Sequence, residues 1–521
     1  PGNLMRTGLL SEQDRAQFEQ ENLSLTPGGR EQAYIQKFYL YLNLTKPEEF
    51  LHISYSKVSS DGKTLRPAYL VWDLKKLFPK LVVTEEEALL MTQRELTPGE
   101  GLEFVIRGVR DRYLGVDESW KELYTWYRQN EGQKVDRILD AGFFKKKPDA
   151  LTGEEAAELY GEKKQFSVTR MERFSACAYA HFLTYGLHLS DRERYEFEAM
   201  DLGNIAHQSM ERFARKAQEK RMPWPKLEEV QRDAMIEESV EESIKDYGNT
   251  VLYSTARNEY MIVRIKQLIR RSVWALTRQM EKGDFEPSGY EMNFGSGKID
   301  RIDTCEDEDV VYVKVTDYKT GMKSFDIVAL YHGLQMQLPV YLNAALELEE
   351  RRAPGKTVEP AGIFYYRIKD PIVDREKDDH ALEEKILKEL RLDGMINAKE
   401  EVIEHLEHQL SGTSVLNPIG KNKDGSLNRY SKVLPPEAFA AMLSYTKKKE
   451  AQVKRQIYAG EVQANPYELN GSTGCDYCAY RDICGFDPRL DGYAYRSLEK
   501  YSKEEVIRRM EEEIENREEP S

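Results

Sequence analysis

Apolar and polar positions along the chain follow two spacings, which predict two kinds of element. Apolar residues that return every three or four positions predict helices, and strict alternation predicts strands. Strands are predicted at residues 50–56 and at 310–315, the second with a partner strand just before it. Helices are predicted over residues 10–22, 30–43, 166–182, 202–217, 256–281, 327–350, 381–410 and 436–459. The pattern therefore indicates an α/β chain.

Three residues are expected to mark or disturb these helices. Thr169 is the predicted N-cap of the helix at 166–182. Pro339 removes a backbone donor inside the helix at 327–350, costs about 3 kcal/mol there, and should kink it. Gly394 is the predicted break in the acidic helix that follows.

The stretch from Gly297 to Lys319 predicts a hairpin that carries charged groups at one end. An acidic turn separates two strands, and the second, β-branched strand ends on Asp317-Tyr318-Lys319. Because side chains alternate along a strand, Asp317 and Lys319 leave one face while Tyr318 leaves the other. Asp300, at the end of the partner strand, can then face Asp317.

Two facing carboxylates repel each other, so this pattern favours a divalent cation between them. Oxygen ligands suit magnesium, and Lys319 can orient water and neutralise charge on a phosphate. The hairpin thus predicts phosphodiester hydrolysis. The alternative is an ordinary acidic-x-Lys pair at a strand end. Asp303 is oddly spaced from Asp300 and should point to the other face of a regular strand.

Length and charge set only wide limits on function. The 521 residues suffice for two or more domains. The net charge of −15 argues weakly against nucleic-acid binding, since local basic patches steer such binding. The basic helix at 256–281 is either a DNA track or a solvated face. No apolar run long enough to span a membrane and no signal peptide are present, which predicts a cytoplasmic protein, and a start at Pro1 suggests a fragment or processed chain.

Five cysteines without secretory context favour reduced thiols or a metal site over disulfides. Cys475, Cys478 and Cys484 lie within ten residues and can bind one metal centre. A tetrahedral site requires a fourth ligand. Cys177 is the better candidate, because Cys305 lies in the acidic turn, where negative charge disfavours a thiolate. The alternative is a set of unrelated buried thiols.

Six short motifs follow one another in a characteristic order. They are the segment 174–182, Gly203 with His207, Gly297 to Asp300, Asp317 to Gly321, Gln337 with Tyr341, and the terminal cysteine triplet. That order resembles the C-terminal half of the AddB family, one of the two components of ATP-dependent AddAB helicase–nucleases, over residues 160–500. The resemblance implies a PD-(D/E)XK nuclease domain of the iron–sulfur kind, with a mixed central sheet flanked by helices.

The resemblance also implies a magnesium site and the residues that act there. They are the metal ligands His207, Asp300 and Asp317 with the Tyr318 carbonyl, the catalytic lysine Lys319, and Gln337 and Tyr341, which support the site or hold the strand being cut. Two alternatives stay open. Gln335 competes with Gln337 because Pro339 interrupts that motif. His207 by itself is more typical of a packed helix histidine, and only its order with Asp300, Asp317 and Lys319 favours a metal ligand.

The resemblance implies a second cofactor as well. A [4Fe–4S] cluster would be held by Cys177, Cys475, Cys478 and Cys484 and would clip the end of the nuclease domain to its start.

The N-terminal part resembles the last motor motif of superfamily 1 helicases at residues 30–57, with Lys46 where active members carry an arginine. No G-x-x-x-x-G-K-[ST] phosphate loop occurs in the sequence. The expected organisation is therefore the end of an inactive helicase-like domain, a nuclease domain and an acidic tail. Their limits are 1–150, 151–500 and 501–521.

The leading hypothesis is a magnesium-dependent DNA exonuclease that works within a larger complex. It would pair with an AddA-type helicase–nuclease as a heterodimer, resect double-strand breaks for recombinational repair and cut the 5′-ended strand. The alternatives are a DNA-binding scaffold whose nuclease has decayed and a stand-alone nuclease of the same superfamily. Intact Asp300, Asp317 and Lys319 argue against the first, and the motor motif argues against the second.

Overall fold

The computed structural model describes most of the chain, and it divides into two compact units, residues 1–135 and 136–521. The described residues are 12–21, 23, 28–59, 63–85, 97–111, 119–143, 150–161, 166–190, 199–247, 252–253, 255–295, 297–376, 378–490 and 492–515. The predicted limit at residue 150 falls inside the second unit and stays a prediction.

The N-terminal unit is helical in its described residues. Its helices are α1 (Glu12–Gln20), α2 (Gly29–Thr45), α3 (Tyr69–Leu77), α4 (Pro98–Asp111) and α5 (Trp120–Asn130), and α6 (Gly132–Gly142) follows. The first two confirm predicted helices. The predicted strand at 50–56 is wrong, because those residues form no strand and Phe50 is 89% exposed. Alternation identifies a surface that a sheet could bury, but a strand also needs a partner.

A six-stranded mixed sheet is the centre of the second unit. Its order follows the sequence, with parallel pairs β3–β4 and β5–β6 and the other pairs antiparallel. The strands are β1 (Glu286–Phe294), β2 (Gly297–Asp307), β3 (Val310–Lys319), β4 (Thr357–Arg367), β5 (Asp393–Asn397) and β6 (Val433–Leu434). A small sheet holds β7 (Tyr467–Leu469), β8 (Ser472–Thr473) and β9 (Arg496–Ser497).

Helices cover both faces of the large sheet and build one core on each, which confirms the predicted nuclease fold class. One core involves α7 (Gly153–Tyr160), α8 (Val168–Ala176), α13 (Ile327–Tyr331), α14 (Gln337–Arg352), α17 (Pro436–Tyr458) and α19 (Lys503–Glu515). The other involves α10 (Ala199–Glu219), α11 (Glu229–Asp246), α12 (Ala256–Met280) and α16 (Glu400–Leu406). The remaining helices are α9 (Ala178–His181), α15 (Asp379–Glu389) and α18 (Arg481–Cys484), with a π turn at Phe182–Gly186 and a 3₁₀ turn at Trp224–Lys226.

The predicted hairpin is present as β2 and β3. The pairing of Arg301 with Thr316 places Asp300 and Asp317 across from each other one step further along. Strand β3 is buried over nearly its whole length, because helices cover both of its faces. No helix formed by the described residues is long and apolar enough to cross a membrane.

The predicted helix at 166–182 is broken. Cys177 adopts an extended conformation with φ −165° and separates α8 from α9. The N-cap is Ser167, whose hydroxyl accepts a hydrogen bond from the Arg170 amide, so the prediction of Thr169 is wrong. The break turns the cysteine away from a regular helical direction.

Pro339 does not kink a helix. The predicted helix at 327–350 is two helices, and the second begins at Gln337, so the proline lies in the first turn of α14. An amide at that position has no partner within the helix, so proline is tolerated there.

The predicted acidic helix at 381–410 is also wrong in its middle, where strand β5 replaces it. Gly394 lies against β4 so closely that a Cβ atom would meet the Ile363 carbonyl oxygen at 1.9 Å. Only glycine permits that approach. Pairing with β4 therefore overrides the helical pattern.

The predicted acidic tail contains α19, which packs against the nuclease core. Val506 and Met510 are fully buried, and the Tyr331 hydroxyl donates a hydrogen bond to Glu513 at 2.7 Å. These residues of the tail belong structurally to the nuclease unit.

Candidate active site

Asp300 on β2 and Asp317 on β3 form the centre of the site. Asp317 is 1% exposed and Asp300 is 9% exposed. The Tyr318 amide donates a hydrogen bond to Asp300 Oδ2 at 2.7 Å. Burial, and then the charge of Asp317, raise the pKa of Asp300 well above its usual range. The two carboxylates thus share a region that lacks enough positive charge for both.

Asp317 is held by two groups that the motif order also placed with it. Gln337 Nε2 donates to Asp317 Oδ1 at 2.8 Å and lies 3.0 Å from the Tyr341 hydroxyl. The other oxygen, Oδ2, accepts no well-aligned hydrogen bond and faces the Lys319 ammonium as an ion pair. Gln335 instead bonds the Asp326 amide at 3.0 Å, so the structure places Gln337 at the site.

His207 on α10 approaches the same carboxylates, with Nδ1 3.4 Å from Asp300 Oδ2. Burial lowers the pKa of His207, which favours the neutral form that binds metals. The role of the Tyr318 carbonyl stays a prediction, since the contact seen here is made by the Tyr318 amide.

Glu291 on β1 is a site residue that the sequence pattern did not identify. One ligand atom from each of His207, Glu291 and Asp300 lies within 4.8 Å of the others. Glu291 has φ 49° and follows a register shift in β1, a type of irregularity that re-aims side chains. Burial raises its pKa, although Lys298 forms an ion pair with it. A single acidic residue between Tyr290 and Met292 was the available signal, but its meaning depends on pairing with β2.

Glu172 on α8 is a second residue that the sequence pattern did not identify. Its Oε1 accepts hydrogen bonds from the Met336 amide at 2.7 Å and the Gln337 amide at 2.9 Å. These amides begin α14, where a carboxylate satisfies orphan donors and complements the helix dipole. Glu172 therefore positions the residue that bonds Asp317.

These residues fit a magnesium ion. Asp300 and Glu291 offer oxygen ligands of the kind that magnesium prefers, His207 offers a neutral nitrogen within 4.8 Å of both, and Asp317 adds a carboxylate across from Asp300. A bound cation would offset the burial and the Asp317 charge that raise the pKa of Asp300.

Asp303 lies on the opposite face of the hairpin, as its odd spacing predicts. It accepts a hydrogen bond from Arg301 Nε at 2.6 Å, and Lys314 Nζ is 3.6 Å away. Asp303 is therefore an internal ion-pair partner, separate from the two site carboxylates.

The structure brings Cys177 to the C-terminal cysteines across most of the nuclease unit. Burial, and then the neighbouring Cys177, Cys478 and Cys484, raise the pKa of Cys475 to about 11. Nearby, the Ala178 amide donates to Asn465 Oδ1 at 2.9 Å. The sequence-based choice of Cys177 as the neighbour of the triplet agrees with this placement, whereas Cys305 lies on β2.

One of the four sulfurs, that of Cys484, has a backbone donor beside it. The Phe486 amide donates to Cys484 Sγ at 3.4 Å, which would stabilise a ligating thiolate.

The acidic surroundings of α12 favour a solvated face over a DNA track. Five of its basic side chains form ion pairs with acidic neighbours: Arg264 and Arg271 with Asp370, Lys266 with Glu241, Arg270 with Glu237, and Arg278 with Glu383.

Comparison with known proteins adds independent findings. Residues 165–485 match the PD-(D/E)XK nuclease superfamily. An alignment of 519 positions covers 96% of this chain and 45% of the B component of an ATP-dependent helicase/deoxyribonuclease from Lachnoclostridium phytofermentans. The two proteins are 37% identical over that alignment. The chain is 31% identical to proteins of the same name from Alkaliphilus oremlandii, over 98% of this chain and 47% of that protein, and from Caldanaerobacter subterraneus, over 97% and 46%.

These relatives confirm the resemblance to the AddB family, and the chain spans about half the length of the curated relatives it matches. The superfamily match covers both strands of the hairpin, His207, Gln337 and all four clustered cysteines. With the mixed sheet and its paired carboxylates, the match shows that the chain belongs to the PD-(D/E)XK nuclease superfamily.

Proposed function

We propose that this chain is the magnesium-dependent deoxyribonuclease part of an ATP-dependent helicase–nuclease. The observation that carries the proposal is the meeting of Asp300, Asp317 and Lys319 at one end of the hairpin. Excess negative charge in a buried position is costly unless a cation completes it. A phosphodiester bond is a substrate whose cleavage uses both a bound cation and a nearby lysine.

The ligands of the cation would be Asp300 and Asp317, with His207 and Glu291 beside them. Magnesium, when bound, lowers the pKa of a bound water and offsets charge on the phosphate. Asp300 is kept in place by the Tyr318 amide, and Asp317 by Gln337. A carboxylate fixed from behind holds its oxygens in position without reorganisation during the reaction.

Lys319 supplies the mobile positive charge. In the structure its ammonium faces Asp317, and once a cation neutralises that carboxylate the lysine can turn to the attacking water or a phosphate oxygen. Tyr341 accepts a hydrogen bond from Gln337, and its hydroxyl proton can then be donated to a phosphate oxygen. Burial raises the pKa of Tyr341, which keeps that proton on the hydroxyl.

Lys319→Ala tests these roles in the purified complex of this chain with its helicase partner. We expect magnesium-dependent release of nucleotides from the 5′-ended strand of linear DNA to be lost, while magnesium affinity is retained. The control is Lys356→Ala, which removes an ion pair with Glu306 away from the site. Normal cleavage by the Lys319 variant would exclude this active-site assignment.

A partner that unwinds DNA is part of the proposal, because the relatives are named as components of ATP-dependent helicase/deoxyribonucleases. The proposed partner is an AddA-type helicase–nuclease. Strong DNA-stimulated ATP hydrolysis by this chain alone would contradict the proposal.

Break resection and cleavage of the 5′-ended strand rest on the family resemblance. Duplex DNA labelled on one strand at a time tests the polarity. Degradation of the 5′-ended strand should be lost in the Lys319 variant, with the other strand still degraded by the partner. The scaffold alternative predicts that both strands behave as in the wild-type complex.

The second proposed cofactor is a [4Fe–4S] cluster on Cys177, Cys475, Cys478 and Cys484. The nearness of Cys177, Cys478 and Cys484 to Cys475 and the Phe486 amide bond to Cys484 support it. Anaerobic absorption spectra with iron and zinc analysis test the identity of the metal. Cys177→Ala should lose iron, colour and thermal stability, because metal–thiolate bonds are coupled to folding. Cys305→Ala should keep its iron, and the reverse result would show that the fourth ligand is misassigned.

A further inference from the structure

A second group of metal-type ligands lies at the far end of the hairpin. Asp284 precedes β1, Cys305 lies on β2, and His405 lies on α16. One ligand atom from each lies within 4.8 Å of the other two. Cys305 is 4% exposed, so its thiol is sheltered from solvent. Three different elements therefore deliver sulfur, nitrogen and oxygen to one point.

His408 lies beside these three residues, outside their 4.8 Å group, and can supply a fourth donor. Asp284 Oδ2 is 2.8 Å from His405 Nδ1 and 2.7 Å from His408 Nε2. The loop that follows α16 thus turns both imidazoles toward the same carboxylate oxygen. One sulfur, two nitrogens and one oxygen are a donor set that suits zinc in a four-coordinate site.

The other side of the His405 ring carries a supporting contact. Its Nε2 is 3.4 Å from Asp307 Oδ2, on the turn of the hairpin. A histidine that ligates a metal through one nitrogen commonly donates its other N–H to a carboxylate, which fixes the tautomer and the ring orientation. Asp307 therefore stands where such a partner is needed.

The backbone brings these side chains together before any ion binds. The Asp284 amide donates to the His405 carbonyl at 2.9 Å, and the His408 amide donates to the Lys282 carbonyl at 2.7 Å. A Cβ atom on Gly283 would meet the His405 carbonyl oxygen at 2.4 Å, so this close approach requires glycine. The two loops are thus clamped at the position of the candidate ligands.

We propose that Asp284, Cys305, His405 and His408 bind one zinc ion, which fastens the turn of the hairpin to α16 and to the start of β1. Burial, and then neighbouring carboxylates, disfavour a free thiolate at Cys305, but a zinc ion offsets the charge of these carboxylates, so binding releases the thiol proton to solvent. The site is distinct from the nuclease centre, because five residues along β2 separate Cys305 from Asp300, about 17 Å at 3.3–3.4 Å per residue. The ion is structural and takes no part in cleavage.

Metal analysis of anaerobically purified protein is the first test. We expect about one zinc ion per chain in the wild type and a loss of it in Cys305→Ser and His405→Gln, with iron unchanged. His380→Gln is the matched control, since this histidine is exposed on α15 and outside the group. Equal zinc content in wild type and Cys305→Ser would overturn the proposal.

Cobalt provides a readout that reports the sulfur ligand itself. Wild-type protein stripped of zinc and titrated with Co²⁺ should gain a sulfur-to-cobalt charge-transfer band, and the difference between wild type and Cys305→Ser isolates this site from the other cysteines. If the two spectra do not differ, Asp284, Cys305, His405 and His408 are held together by hydrogen bonds alone.

A milder variant keeps the test decisive if substitution at Cys305 prevents folding. His408 is about half exposed, so His408→Gln should fold and should bind zinc at least tenfold more weakly. Added zinc should raise the Tm of the wild type more than that of His408→Gln. Identical shifts in the two proteins would contradict zinc ligation by His408.

Discussion

Two clusters of charge lie on opposite faces of the same hairpin, and they differ in balance. The front cluster comprises Asp300, Asp317 and Lys319, and the rear cluster comprises Arg301, Asp303 and Lys314. Both are buried, but the rear carboxylate has two cations near it, whereas the front carboxylates compete for one.

The surroundings of the clusters widen this difference. In the rear, the Arg301 guanidinium lies 5.1 Å from the ring centre of Trp224 and Lys314 lies 5.0 Å from that of Phe285, so aromatic rings cover the cations. At the front, Glu291 adds a further carboxylate. Burial of charge alone is thus no sign of a catalytic site; an excess of carboxylates over nearby cations is the better indicator.

The largest expected effect is on cleavage, and it concerns the front cluster. Asp317→Ala should reduce magnesium-dependent cleavage of the 5′-ended strand by roughly a thousandfold or more, because stabilisation by a bound metal supplies several kcal/mol. Folding and partner binding should persist, since the change relieves repulsion with Asp300. Rates of nucleotide release measure the effect, with the exposed Glu350→Ala on α14 as control. A near-normal rate would show that the front cluster is not the catalytic site.

The next effect is on stability, and it concerns the rear cluster. Asp303→Ala should lower the free energy of unfolding by about 3–5 kcal/mol, because Arg301 and Lys314 lose their counter-charge while still buried. Denaturant unfolding of metal-free protein measures it beside Asp317→Ala, which should change little. Equal loss of unfolding free energy in both variants would show that the two clusters contribute equally to stability.

A smaller effect on catalysis should follow from Glu172→Gln, which weakens the support behind the front cluster. We expect a loss of about 10–100-fold in cleavage with unchanged DNA affinity, typical of residues that orient a metal ligand from behind. A titration of the rate with magnesium separates positioning from folding, since a shift in the magnesium midpoint requires an effect at the ion. An unchanged midpoint and rate would confine Glu172 to capping α14.

The smallest expected effect concerns pH and Asp300. Its pKa is raised in the fold, by burial and then by Asp317, so the folded state keeps this proton longer than the unfolded state does. Stability of the metal-free protein therefore falls as pH rises from the unfolded pKa, about 3.9, through the raised folded value. Asp300→Asn should be more stable than wild type at neutral pH and equally stable below pH 3.9. Thermal melts across this range measure the difference, and a stabilisation that persists in acid would point to another cause.

Features that depend on residues close together in the chain could be predicted from the sequence alone. Alternation along 310–319 placed Asp317 and Lys319 on one face, and it separated Asp303 from Asp300. Helical periodicity predicted α10, α12 and α17 close to their observed bounds. Such patterns survive folding because one buried face, set by local geometry, dictates them.

Contacts between side chains that are far apart in the sequence could be identified only from the tertiary structure. Glu291 and Glu172 could be recognised as site residues only from the structure, in which β1 pairs with β2 and α8 packs beside α14. Strand β5 arose from a stretch with a helical pattern because β4 offered it a partner, while residues 50–56 had none. Pairing is a property of two segments, so neither segment encodes it alone. For the same reason, the zinc ligands at Cys305 and His405, a hundred residues apart, emerge from the packing of the fold.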